Sequence, residues 1–115
     1  MSFRKNVLQN YKAIDAGNMS GNLTSPSTNI QFLDNIGIQL LFPGAVASGQ
    51  FFIDASLDNV NWSTLDIIPS MVASDPDGQI LIDMNNMSFS HIRIRYVAVP
   101  GDAGSLTAII EGKSI

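Results

Sequence analysis

Two alternating runs joined by a turn constrain this chain most. Between Ser90 and Val99, residues Ile92, Ile94, Tyr96 and Ala98 fall on one side and His91, Arg93, Arg95, Val97 and Val99 on the other. That is the period of a half-buried strand. Pro100, Gly101, Asp102, Ala103 and Gly104 then combine fixed φ, free φ and a local side-chain acceptor, which together reverse a chain. A second run puts Leu106, Ala108 and Ile110 on one face and Thr107, Ile109, Glu111 and Lys113 on the other. The pair is expected to form an antiparallel hairpin with one apolar side.

The same grammar recurs upstream. Ile30 and Phe32, then Ile36, Ile38, Leu40 and Phe42, alternate with other residues around a bend at Asp34-Asn35, which predicts two short strands. After the loop over residues 43–49, Phe51, Ile53 and Ala55 oppose Phe52 and Asp54. A turn over residues 56–61 leads into an extended run from Trp62 to Ile68, stopped by Pro69, so a second hairpin is expected there. Asp75-Pro76-Asp77-Gly78 has the residues of a type I turn, and Ile80, Ile82 and Met84 alternate inward after it. Short strands punctuated by turns, with no secure helix, read as an all-β fold, an antiparallel β-sandwich or jelly roll over residues 29–115.

Residues 1–28 read differently, as an N-terminal arm. They hold Arg4, Lys5 and Lys12, half of the six cations, followed by the polar run AGNMSGNLTSPST. Phe3, Val7, Leu8, Tyr11 and Ile14 fall near helical spacing, so the segment reads as a short amphipathic helix or as an extended piece docked on a sheet or a neighbour. Phe3 and Tyr11 are its candidate interface residues.

A chain of 115 residues can bury one core without staples, and with no cysteine it forms neither disulfides nor thiolate metal sites. No run approaches the ~20 apolar residues of a membrane helix, and the start lacks the apolar stretch of a secretion signal, so neither a membrane nor an exported setting is expected. The net charge of −4 argues against nucleic acid as a partner, which needs clustered Lys and Arg. Charged residues make up only 14 % of the chain, against roughly a quarter in ordinary soluble domains. An exterior so poor in charge suits lasting contact with other protein.

Candidate chemistry is thin. His91 is the sole histidine and has no second His or Cys to work with. Asp75, Asp77 and Gly78 start like a calcium loop, but Gln79 and Ile80 break the ligand pattern. Trp62, with Asp54, Asp58, Asn59 and Asn61 near it in sequence, has the make-up of a sugar site, a ring for stacking with carboxylates and amides around it; Trp62, Asp58 and Asn61 are its core candidates. A hairpin turn whose Trp covers the sandwich edge is the plainer reading. Arg93 and Arg95 lie two apart on one outward face, where they can grip a partner's carboxylates or pair across the sheet, for example with Glu111. No nucleophile motif or phosphate cradle occurs, so neither enzymatic activity nor a cofactor is expected.

The pieces GNLTSPSTNIQFLDNIGIQLLF, GQFFIDASLDNVNW, ILIDMNNMSFSHIRIRY and SLTAIIEGK, in that order, resemble the small structural proteins of tailed bacteriophages. The resemblance spans roughly residues 20–113. It implies a small β-sandwich that decorates or cements heads, or sits in tails and fibres. Its partners would be capsid or other virion proteins in a homo-oligomeric or otherwise symmetric assembly, with no cofactor. A carbohydrate-binding module of a fibre is the alternative, and an accessory oligomerisation domain a third reading.

Overall fold

The computed structural model describes residues 7–85 and 87–113, and every regular element in them is a strand. In chain order these are β1 (Val7–Asn18), β2 (Leu23–Thr24), β3 (Thr28–Asn29), β4 (Asn35–Leu41), β5 (Gln50–Ser56), β6 (Ser63–Thr64), β7 (Met71–Val72), β8 (Gln79–Asn85), β9 (His91–Val97) and β10 (Ser105–Lys113). They make two antiparallel sheets. One has the order β1-β10-β4-β8; in the other β2 and β3 flank β9, which pairs with β5, and β5 carries β6 and β7 on its far side. The all-β sandwich expected from the alternation is the fold that forms.

The core lies between the sheets, where the two inward sets meet. Ile36, Ile38, Leu40, Leu106, Ala108 and Ile110 line one wall and Phe51, Ile53, Ile92, Ile94 and Tyr96 the other, none more than 1 % exposed. Burying each of the larger of these side chains stabilises the fold by roughly 1.5–3 kcal/mol, set against the entropy of ordering the chain. Phe42, Phe51 and Tyr96 form a tilted aromatic row with successive centroids 5.0 Å apart. The Asp75 turn forms as expected, with Gly78 N–H donating to Asp75 O at 3.2 Å, and Gly78 takes φ +68, a left-handed conformation that suits glycine.

Three expectations need correction. The runs on either side of the Pro100–Gly104 turn do not pair: β9 belongs to one sheet and β10 to the other, so the turn is a crossover between layers. Their apolar faces meet across the core. The run from Trp62 to Ile68 does pair antiparallel with β5, but only as the two-residue strand Ser63–Thr64 and one further bond from Leu65 N–H to Ile53 O at 2.8 Å, so the hairpin is shorter than expected. Phe32 does not continue a strand, because Leu33 N–H turns back onto Ile30 O at 3.0 Å and leaves Phe32 69 % exposed.

The stretch read as an arm lies on the sandwich wherever it is described. Residues 7–18 form an edge strand against β10, the extended alternative rather than the helix. Farther on, Leu23–Thr24 and Thr28–Asn29 pair with β9 on either side of Ser25, whose N–H donates to Ile94 O and whose Oγ accepts from Ile94 N–H, both at 2.8 Å. Residues 1–6, with Phe3, lie outside the described residues.

Candidate functional site: the Asp54–Arg93–Arg95 face

Register builds this face. On the outer surface of the second sheet Asp54 stands opposite Arg93, Phe52 opposite Arg95, and Thr64 opposite Asp54 on the far side. The arginines therefore converge on one carboxylate. Arg93 Nε donates to Asp54 Oδ2 at 2.9 Å; Arg95 grips both oxygens, Nε to Oδ2 at 2.7 Å and Nη2 to Oδ1 at 3.2 Å. Thr64 Oγ1 donates to Asp54 Oδ1 at 2.8 Å and accepts from Arg95 Nη2 at 3.1 Å.

Flat rings complete the frame. The Arg93 guanidinium lies 4.5 Å from the Trp62 ring centroid and that of Arg95 lies 4.8 Å from the Phe52 ring. Cation–π attraction of this kind holds a planar fork in a fixed orientation. Asp54 is only 2 % exposed, whereas the arginine side chains are 29 % and 28 % exposed. Two cations share one anion, so the three side chains together carry one net positive charge. Among the described residues nothing else bonds the Arg93 terminal amino groups, so four of its five N–H donors remain for a partner.

Burial pushes the Asp54 carboxyl up, but the hydrogen bonds from Arg95, Arg93 and Thr64 outweigh it and hold the group below its ordinary 3.8. A second carboxylate, Asp102, ties the crossover to the opposite loop. It accepts the Tyr96 hydroxyl, Val99 N–H at 2.9 Å, Ser48 N–H at 2.9 Å and Gly49 N–H at 3.1 Å, and these bonds, that from Tyr96 foremost, hold its carboxyl below the ordinary 3.8 as well. Gly49 is required there, since a Cβ would fall 2.6 Å from Tyr96 Cζ. Burial, then the bond to Asp102, pushes the Tyr96 hydroxyl up to about 12.

These shifts set the pH range of stability. Asp54 and Asp102 titrate lower folded than unfolded, so their contribution is complete above the ordinary 3.8 and is lost as pH falls through their folded values. Tyr96 is the reverse: its contribution is complete below 10.0 and is lost as pH rises toward about 12. Urea midpoints are expected to stay level from about pH 6 to pH 9, fall below about pH 4 and fall again above about pH 10. A midpoint that holds at about pH 2.5 contradicts the assignment of the two carboxylates.

The remaining sequence candidates are placed as follows. Tyr11, opposite Ile110 on the edge strand, is half-buried and packs against the core. Glu111 is in the other sheet and is not the partner of the arginines. Asp58 serves its own loop, accepting Val60 N–H at 2.9 Å, Asn61 N–H at 2.8 Å, Asn61 Nδ2 at 2.7 Å and Ser56 Oγ at 3.0 Å. The four bonds, those from Asn61 foremost, hold its carboxyl well below the ordinary 3.8. With the Arg93 guanidinium against the Trp62 ring and Asp58 and Asn61 bonded to each other, the sugar-site residues are engaged within the chain. His91 is half-buried with Nδ1 2.8 Å from Ser90 Oγ. Among the described residues no three His, Asp or Glu side chains gather closely enough to hold a metal. The sequence reading missed that Asp54 anchors the arginines; the available signal was its outward phase on its own strand, beside Phe52.

The chain matches no protein family and none of the curated proteins. Among solved structures, the crystal structure of SPBc2 prophage-derived protein YomS is similar, with a TM-score of 0.67 over 99 % of this chain and 98 % of that one at 9 % sequence identity. A likeness at that identity establishes a shared fold over the full length of both chains.

Proposed function

We propose that this protein is a non-enzymatic structural component of a tailed-bacteriophage particle, a capsid decoration or cement protein that docks on coat subunits through the Arg93–Arg95 face. The observation that carries the reading is the buried Asp54, which holds two arginines through Nε and leaves the part-exposed terminal amino groups of Arg93 unbonded among the described residues. Carboxylates of a neighbouring subunit are the natural acceptors for such a fork. The prophage origin of YomS, whose fold this chain shares, and the likeness of its sequence pieces to phage structural proteins support the setting. Many copies on a symmetric shell would turn modest single contacts into firm attachment.

The test is co-sedimentation with particles assembled without the protein. Wild-type chain is expected to pellet with them. Arg93→Ala leaves Arg95 bidentate on Asp54, so the variant is expected to fold and to bind roughly tenfold more weakly. Rising salt is expected to weaken attachment. Wild-type protein that stays in the supernatant overturns the virion reading; Arg93→Ala binding like wild type overturns the docking face.

A further inference from the structure

Among the described residues, three of the four sheet edges are blunted. β1 is broken by three register shifts against β10, with Asn10 and Ala16 at positive φ. In the second sheet the outer strands β2, β3, β6 and β7 are two residues each. Bulges and short strands are the usual means of keeping an edge from pairing with another chain. β8 has neither: its seven residues run in unbroken register along β4, from Gln79 opposite Leu41 to Asn85 opposite Asn35, without Pro or Lys. Among the described residues no hydrogen bond reaches its far side.

The core is also open along β8. Leu40, Ile38 and Ile36 of β4 are at most 1 % exposed, yet their neighbours Ile80, Ile82 and Met84 on β8 are only half-buried. Leu81 on the outer face is 72 % exposed, and Ile68, beside a cleft of about 370 Å³ shared with Ile80 and Ile82, is 85 % exposed. Apolar groups thus flank the free edge on both faces.

We infer that β8 pairs antiparallel with β8 of a second copy about a two-fold axis at Leu81, joining two four-stranded sheets into one of eight. The strand is self-complementary in that register. Leu81 meets Leu81 and Ile80 meets Ile82, and inward residues stay inward because opposed residues share a face. Each acid meets an amide: Asp83 opposes Gln79, and Asp77, just before the strand, opposes Asn85. Moving the axis to Asp83 would instead set carboxylate against carboxylate. Ile68 of each copy then lies beside the partner's strand and extends the contact beyond the strands themselves, as a stable interface requires. The pairing is isologous, the commonest way a soluble chain closes on itself.

This inference does not rest on the virion reading, because it concerns the purified chain in solution. Sedimentation velocity over a concentration series is expected to show a monomer–dimer equilibrium with Kd of about 1–100 µM. Leu81→Lys, at a site already exposed, is expected to keep the thermal midpoint and raise Kd at least about tenfold. Val60→Lys, in the loop between β5 and β6 where Val60 is 75 % exposed, is expected to leave Kd unchanged. Amides of residues 79–85 are expected to slow in hydrogen exchange as the dimer populates. Because the chain is acidic, salt is expected to tighten the dimer while weakening attachment through Arg93. A wild-type chain that stays monomeric to about 1 mM, or a Leu81→Lys variant that dimerises as well as wild type, overturns the inference.

Discussion

Replacing Asp102 with Ala is expected to lower the thermal midpoint by roughly 10–20 °C, among the largest effects of any single polar substitution in the chain. The carboxylate accepts three backbone N–H groups and a phenol, and these come from the end of β9 and from the loop before β5. Truncation orphans four donors at once, one of them the hydroxyl of a Tyr96 side chain with no exposure. An unmade bond to a buried donor costs more than a made one contributes, so the losses do not cancel. Asp102→Asn keeps one oxygen but turns an amide donor toward the other N–H groups, and is expected to recover less than half of the loss. Differential scanning calorimetry checks both; an Asp102→Ala midpoint within about 3 °C of wild type would contradict the role given to this residue.

Asp54→Ala is the second large effect, about 3 kcal/mol of unfolding free energy, discounted from the full penalty of a broken buried pair because both arginines keep some contact with water. Removal leaves two guanidiniums side by side with no anion between them. Two-state urea unfolding measures the loss. Adding Arg93→Ala to Asp54→Ala is expected to restore part of it by removing one of the two like charges, a non-additivity that a double-mutant cycle reads directly. If the two substitutions simply add, the carboxylate does not act by neutralising the pair.

The strands that build both walls of the core were legible because strict alternation fixes which residues face inward, and β4, β5, β8, β9 and β10 all show it. Connectivity was not. A hairpin and a crossover between layers both require two alternating runs and a turn, and nothing in SFSHIRIRYVAVPGDAGSLTAIIEG separates them. Asp102 reads as a turn residue by sequence, and in the fold it is an acceptor for a loop more than fifty residues away.

β1 was misleading for a different reason. Tyr11, Ile14 and Gly17 stand opposite Ile110, Ala108 and Leu106, so a spacing of three on one strand meets a spacing of two on the other. Bulges supply the extra residues, and a spacing of three imitates a helical face. The functional face was half legible. The outward phase of Arg93 and Arg95 could be read from the sequence, but their partner depends on which strands are neighbours, and that is set by topology.

The face and the free β8 edge lie on different sheets, so one surface can dock on a shell while the other joins two copies. The most direct measurement is the abundance of this chain in tailed-phage particles purified from cells that express it, by quantitative mass spectrometry against the major coat protein. A fixed, near-stoichiometric ratio that survives repeated gradient purification is the expected result. Absence from particles, with the protein recovered only from the soluble lysate, would contradict the proposed function.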